Sequence, residues 1–295
     1  MLSILLPIYN YEVSALVREL ARQAERIEHP IEIRLLDDAS TRPDHNAGLH
    51  DGERIFYERL PQNIGRAAIR NRLAEQAAYP YLLFIDSDAA VLSDSFLQTY
   101  FDQLDEQTVL CGGTRYSTLP PDDAALYLRW YYGKHREERL TDQRDRGGFT
   151  TFNFLIPRST FQQIRFEELN EYGHEDTLFG YELERRSIPI KHLDNALRHD
   201  GLEPAGHFLE KSAIAVENLL RINHPSVRAR TKLWRTYEQL RSLGLTGAYR
   251  QVFRQMESRI EQNLLGANPS LRLFDLWKLG KLTVSAGQTS RSQAD

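Results

Sequence analysis

One cysteine and two methionines in 295 residues leave little material for several protein classes. With Cys111 alone, no internal disulfide can close and no cysteine pair is available for a zinc site, so a reducing cytoplasm is the expected compartment. No apolar run approaches the length that spans a bilayer. The first run, Leu2 to Tyr9, has no basic residue ahead of it and is interrupted by Pro7, which argues against a secretory leader. Seventeen glycines and twelve prolines are too few for a collagen-like or low-complexity chain. Neither sign of charge dominates. The 37 Lys+Arg and 41 Asp+Glu give a net -4, which excludes a basic nucleic-acid binder and an acidic disordered tail.

What is present is 41% hydrophobic and 10% aromatic, enough for a sizeable core in one domain with an appendage or in two small domains. Charge is uneven: residues 206–295 hold 14 basic and 7 acidic side chains, or +7, and residues 1–205 hold 23 and 34, or -11. The two parts are expected to have different jobs.

Ser3 to Ile8 has the character of a buried strand, and Val13, Leu16, Val17, Leu20, Ala24 and Ile27 then recur at helical spacing. Ile31 to Leu36 predicts a second strand, ended by Asp37-Asp38-Ala39-Ser40. A polar segment with Pro43 and Gly48 leads to a short strand at Ile55 to Tyr57. A helix over Arg66 to Ala78 and an apolar strand over Tyr81 to Ile85 complete an alternation that argues for a mainly parallel sheet between helices. Beyond Asp88 the pattern predicts a helix near Asp94 to Leu104, a strand at Val109 to Cys111 and a helix from Asp123 to about Arg139. A mobile loop over Thr141 to Gly148 and a returning strand over Phe149 to Ile156 come next. A helix over Gly173 to Arg186 and an edge strand over Ile188 to Leu193, where proline is tolerated, precede an all-helical pattern from Gly206 onward.

Parallel sheets bind ligands at the carboxyl ends of their strands, so the polar residues after each apolar run are the candidates. They are Asp37 and Asp38, Asp86 and Asp88, Glu175 and Asp176, and His199 with Asp200. The period-two geometry of an extended chain puts Asp86 and Asp88 on one side, able to face a divalent ion and a diphosphate together. Asn63-Ile64-Gly65-Arg66-Ala67-Ala68-Ile69-Arg70-Asn71 opens a helix where amides, dipole and guanidinium groups suit an anionic phosphate; the bland alternative is a capped helix with solvated arginines. Asn153 reads either as an acceptor contact or as a member of a packed strand with Phe152 and Phe154. Trp130, Tyr131 and Tyr132 read as a sugar-stacking platform or as core.

The segments Ile4-Leu5-Leu6-Pro7-Ile8-Tyr9-Asn10, Leu36-Asp37-Asp38-Ala39-Ser40, Asn63 to Asn71, Phe84-Ile85-Asp86-Ser87-Asp88, Gly173-His174-Glu175-Asp176 and Arg198-His199-Asp200-Gly201 stand in a telling order. In that order the chain resembles the family 2 inverting glycosyltransferases of bacterial type, over about two hundred residues through Leu202. Phe208-Leu209-Glu210-Lys211 is similar to a segment that follows the histidine in bacterial members. The resemblance implies an α/β GT-A fold, a mainly parallel sheet with flanking helices. It implies a catalytic domain over 1–205, nucleotide-binding to about 110 and acceptor-facing from about 111, with a helical extension over 206–295.

By the same resemblance, Pro7 and Tyr9 flank the nucleotide pocket, and Asp38, with Asp37, reads the base or ribose. Arg66 or Arg70 borders the base and phosphates, Asp86 contacts the ribose, Asp88 holds the metal, and His199 is a further metal ligand or a diphosphate contact. Asp176 is the implied general base, with Glu175 second. Two departures bear on donor choice: Arg66 fills a slot that is usually small or variable, and Asp200 follows His199 where many relatives have an apolar residue.

The implied activity is inverting transfer of a hexosyl or related sugar, assisted by Mn²⁺ or Mg²⁺. The favoured donor is a UDP-sugar, the acceptor a glycan or lipid-linked hydroxyl, and the setting cell-surface polysaccharide synthesis. Such chemistry needs a base for the acceptor hydroxyl and a metal for the departing diphosphate. Asp176, at a predicted helix start, is kept ionised by the helix dipole. Two other functions compete: a silent nucleotide-sugar or glycan binder, which retention of both Asp88 and Asp176 argues against, and an aspartate-nucleophile phosphohydrolase. The latter wants Thr or Val where Ala90 stands. In the C-terminal segment, Leu273, Leu276 and Trp277 form an apolar face beside Arg272, Lys278 and Lys281. Its two readings are contact with the inner face of the membrane and packing on this chain or on a second copy in a homodimer.

Overall fold

Alternation of apolar side chains explains the centre of the molecule. Leu2, Ile4, Leu6 and Ile8 line one face of the first strand and Leu5 the other, and all five are buried. The computed structural model describes residues 1–42, 45–144, 149–168, 173–222 and 224–292. Its strands are β1 (Leu2–Ile8), β2 (Ile31–Asp37), β3 (Ile55–Arg59), β4 (Tyr81–Ile85) and β5 (Ala89–Ala90). Then come β6 (Val109–Cys111), β7 (Thr114–Arg115), β8 (Asn153–Pro157), β9 (Ile190–His192) and β10 (Leu197–His199). A seven-stranded sheet runs β3-β2-β1-β4-β8-β6-β9, with β8 antiparallel to both neighbours and the other pairings parallel. A small second sheet runs β5-β10-β7.

The helices are α1 (Ser14–Ala24), α2 (Arg66–Gln76), α3 (Phe96–Phe101), α4 (Tyr127–Tyr132), α5 (Thr141–Arg144), α6 (Arg158–Ile164) and α7 (Glu175–Arg185). The last five are α8 (Ala205–Arg221), α9 (Pro225–Arg230), α10 (Lys232–Ser242), α11 (Thr246–Leu264) and α12 (Leu271–Ser292). On one side of the main sheet Leu16, Val17 and Leu20 of α1 meet Phe96 and Tyr100 of α3. On the other, Ile69 and Leu73 of α2 join Phe161 of α6 and Phe179 of α7. A parallel sheet covered on both faces needs such continuous apolar runs.

The chain divides into two compact units. The first comprises Met1–Ser117, Arg136–Asn170 and Glu175–Gly201; the second comprises Thr118–His135, Glu171–His174 and Leu202–Asp295. All ten strands belong to the first. In the second, Phe253, Phe274, Trp277 and Leu209 build one core and Val216, Tyr237, Leu279 and Leu282 another. No described helix is long and apolar enough to cross a membrane.

Several expectations change. The helix expected over Asp123 to Arg139 is a 3-10 turn at Ala124–Leu126, then α4, then a π-helical stretch at Gly133–Glu137. Thr141 to Arg144, expected as part of a mobile loop, is a helical turn. Its Arg144 is buried and donates to the carbonyls of Cys111 at 3.3 Å and Leu193 at 2.7 Å; Asp145 to Gly148 lie outside the described residues, as does Pro43. Helix α6 and strands β5, β7 and β10 were not predicted. Trp277 is 2% exposed and Phe274 1%, so the apolar side of α12 is spent inside its own unit, while Leu276 remains 45% exposed.

Candidate functional site

Strands β1, β2 and β4 end side by side, and their polar continuations gather there. In register, Ile8 sits opposite Asp37, and the N–H of Asp38 donates to the carbonyl of Ile8 at 2.8 Å. Asn10, at φ +54°, receives N–H donors from Thr41 at 2.8 Å and Arg42 at 3.1 Å on its side-chain oxygen, tying the loop after β1 to the loop after β2. Pro7 is half-buried and Tyr9 exposed at this edge.

Asp37 is buried and accepts from the N–H of Ser40 at 2.7 Å, with the Tyr57 hydroxyl at 3.4 Å. Asp38 is buried too, and its two oxygens accept the N–H groups of Ile64 at 2.7 Å and Gly65 at 3.0 Å. Burial raises the Asp38 carboxyl above the usual carboxylate range, the two N–H donors oppose the rise and Asp37 adds to it. Gly65 precedes α2 with φ +86°, a conformation that glycine adopts without steric cost. The acidic loop after β2 is thereby clamped to the start of α2.

That helix presents its two arginines differently. Arg66 is exposed at the first turn, whereas the Arg70 side chain is 3% exposed and bonds Asp86 Oδ1 through Nη2 at 2.6 Å. Arg70 Nη1 lies 3.7 Å from Glu175 Oε1, and the guanidinium sits over the Phe166 ring at 5.5 Å. Its Nε has no hydrogen-bond partner among the described residues. Arg70 therefore links the acid at the end of β4 to the acid that opens α7.

Asp88 follows two residues later. His199 Nε2 lies 3.4 Å from Asp88 Oδ2, and the N–H of Asp200 donates to the Asp88 carbonyl at 2.8 Å. The small sheet causes this meeting: β10 pairs with β5 antiparallel, with His199 opposite Ala89, and with β7 parallel, with Leu197 opposite Thr114. Gly201 keeps the carboxylate's place open, since a Cβ there would lie 2.2 Å from Asp88 Oδ2. The His199 ring stacks on Tyr116, at 5.1 Å and 20°, and on Phe152, at 5.4 Å and 18°. Among the described residues no group of three His, Cys, Asp or Glu side chains is gathered as for a metal ion.

At the start of α7 the two acids differ. Glu175 is buried beside Arg70; Asp176 is half-buried, and its Oδ1 accepts the N–H of Thr177 at 2.6 Å. Asn153, left open between two roles, is 1% exposed. It receives the Tyr100 hydroxyl on Oδ1 at 2.5 Å and donates to the Asn195 carbonyl at 2.9 Å, so its side chain belongs to the interior. Trp130 is buried, and Tyr132 packs on Phe208 and Phe274 within the helical unit.

Sequence reasoning missed Tyr11 and Tyr116. Burial, then Asp88 and Asp200, raises the Tyr11 phenol above its ordinary value. A tyrosine two residues beyond Tyr9 in the loop after β1 was a usable signal. Tyr116 follows a two-residue strand and carried none.

The family model described as glycosyl transferase family 2 matches residues 3–165 of the chain. No curated protein matches it in sequence. Among solved structures it is similar to the mannosyltransferase PcManGT of Pyrobaculum calidifontis, at 12% identity and a TM-score of 0.58, covering 100% of this chain and 88% of that one. It is similar also to glucosyl-3-phosphoglycerate synthase of Mycobacterium tuberculosis, at 17% identity and a TM-score of 0.50, over 75% of this chain and 79% of that one. Against the longer TarS chain of S. aureus, 76% of this chain spans 40% of the relative, at 20% identity and a TM-score of 0.49. With a family match over more than half its length and a GT-A sheet beneath the matching motifs, the chain belongs to glycosyl transferase family 2.

Proposed function

We propose that the protein transfers a sugar, with inversion, from a nucleoside diphosphate sugar to an acceptor hydroxyl. The observation that carries this reading is the Asp88 carboxylate 3.4 Å from the His199 imidazole, at the end of the same strand whose Asp86 is held by Arg70. Asp38 and Asp86 are the residues assigned to the nucleoside, with Pro7, Tyr9, Asp37 and Arg66 around it. The related structures that hold GDP-Man with Mn²⁺, and UDP with Mn²⁺, support a donor of this class.

Asp88 and His199 would supply two of the donors to a divalent cation. One carboxylate oxygen and one imidazole nitrogen face each other, and the remaining positions fall to phosphate oxygens and water. Manganese or magnesium held there supplies positive charge against the departing diphosphate. Asp176 takes the proton of the acceptor hydroxyl; the hydroxyl oxygen bonds to the anomeric carbon as the bond from that carbon to the diphosphate oxygen breaks. Glu175 is the weaker candidate for the base because its carboxylate faces Arg70 in a buried setting. A UDP-sugar donor, a glycan or lipid-linked acceptor and a cytoplasmic location complete the reading.

The test is a panel of UDP-, GDP- and dTDP-sugars with Mn²⁺, scored by thermal stabilisation and by release of nucleoside diphosphate. One nucleotide class should raise the melting temperature and be turned over, with loss of both effects in Asp88→Asn. Stabilisation by none of them would reject the proposal.

A further inference from the structure

We propose that Tyr116 is a positioning residue for His199, holding the imidazole with Nε2 near Asp88 so that the pair accepts a divalent cation without first ordering the ring. The inference rests on the reading of Asp88 and His199 as cation ligands. Its evidence is separate, and lies in how the histidine is held.

A histidine side chain rotates about two bonds, and a ligand that must be frozen on binding loses affinity for that reason. Here two rings lie near parallel to the imidazole, Tyr116 at 20° and Phe152 at 18°. Stacking of this kind restricts rotation of the imidazole, and Nε2 is the ring atom 3.4 Å from Asp88. Phe152 precedes β8, and its carbonyl accepts the N–H of Asp86 at 3.1 Å, so this wall is fixed to the acidic turn itself.

The Tyr116 wall is fixed at both ends. Its hydroxyl donates to Glu137, and its N–H donates to Glu138 Oε2 at 2.8 Å. Its side chain is thus tied at the tip to a carboxylate while its ring lies on His199, and only 3% of the residue is exposed. The charge-assisted bond at the tip gives the ring a defined orientation. Outer groups that orient a ligating histidine ordinarily tune metal affinity strongly.

The experiment measures Mn²⁺ binding by the electron paramagnetic resonance of the free ion, with and without UDP, on the 295-residue chain. His199→Ala should lose most Mn²⁺ binding. Tyr116→Leu should weaken it about tenfold, and Tyr116→Phe, which keeps the stack, about threefold. Glu137→Leu, which removes the acceptor, should match Tyr116→Phe, and the double variant should be no weaker than either single one, since both remove the same tether. Circular dichroism and melting temperature of Tyr116→Phe should stay at the parent values, separating a clamp from a packing role. Parent-like Mn²⁺ affinity in both Tyr116→Leu and Tyr116→Phe, with His199→Ala defective, overturns the clamp and leaves the cation site standing. Undiminished binding in His199→Ala overturns both.

Discussion

Arg70 and Asp86 form a 2.6 Å ion pair in which the arginine is almost wholly buried and the aspartate is 23% exposed. The cation is thus supplied from inside the fold to an acid at its surface. Removing the arginine leaves Glu175 and Asp86 facing a cavity without their shared partner. Arg70→Ala should lower the unfolding free energy by about 3 kcal/mol, the usual penalty for breaking a buried pair. Arg70→Lys retains the charge but not the fork that reaches both acids, and should recover less than half of that loss in urea titrations.

Asp176 and Glu175 are separable by kinetics. Asp176→Asn should lower the transfer rate by about 10²–10⁴-fold while nucleotide affinity stays within about twofold, because the base acts on the acceptor. Glu175→Gln keeps a neutral partner for Arg70 and should retain most of the transfer. Product formation at saturating donor, beside nucleotide binding by calorimetry, checks both. Retained turnover in Asp176→Asn with an inactive Glu175→Gln would move the role to Glu175.

Asp38 sets a pH dependence with a definite sign. Burial first, then Asp37, raises its carboxyl in the folded chain, against the pull of the Ile64 and Gly65 N–H groups. Between the ordinary value of about 3.9 and the raised one, the folded state holds more protons on Asp38 than the unfolded state. Stability from this group therefore falls as pH rises through that window and is flat above it. The stability of the parent relative to Asp38→Asn should decline across the same window in denaturant titrations. A difference that grows with pH would contradict the assignment.

Gly280 lies inside α12, where alanine is ordinarily better by about 1 kcal/mol. A Cβ at this position would stand 2.2 Å from Phe253 Cδ2, and Phe253 is itself 3% exposed. The close approach outweighs helix propensity, so Gly280→Ala should destabilise the helical unit by about 1–3 kcal/mol. Urea unfolding followed by tryptophan fluorescence measures this, since Trp277 shares that core.

The parts of the site that lie on long strands were legible in the sequence. β1 and β4 are largely apolar runs of seven and five residues, and β2 starts in alternation, with Glu32 and Arg34 between Ile31, Ile33 and Leu35. Asp37 closes β2, Asp38 follows it directly, and Asp86 follows β4, so periodicity and polarity locate them together. β5, β7 and β10 have two or three residues each, too few to carry any period. For that reason His199 was a candidate only by its place after the edge-strand region, its ligand role came from family resemblance, and Tyr116 did not reach the candidate set at all. Arg70 was legible as a cation near phosphates. Its burial depends on Phe166 and Glu175, about a hundred residues further on, which no local pattern reports.

The small sheet also sets an order of assembly. β1 to β4 come from the first 85 residues, whereas β10 ends at His199. Closing β10 onto β5 brings round about a hundred residues of intervening chain, a slow step relative to local pairing. A chain halted on the ribosome before Leu197 would already carry Asp38 and Asp86 at the ends of paired strands, with Asp88 still lacking its imidazole. The pairing of Asp88 with His199 is thus a late acquisition of the α/β unit, and under the proposed cation role nascent chains of graded length should gain Mn²⁺ binding in one step once the β10 strand has emerged.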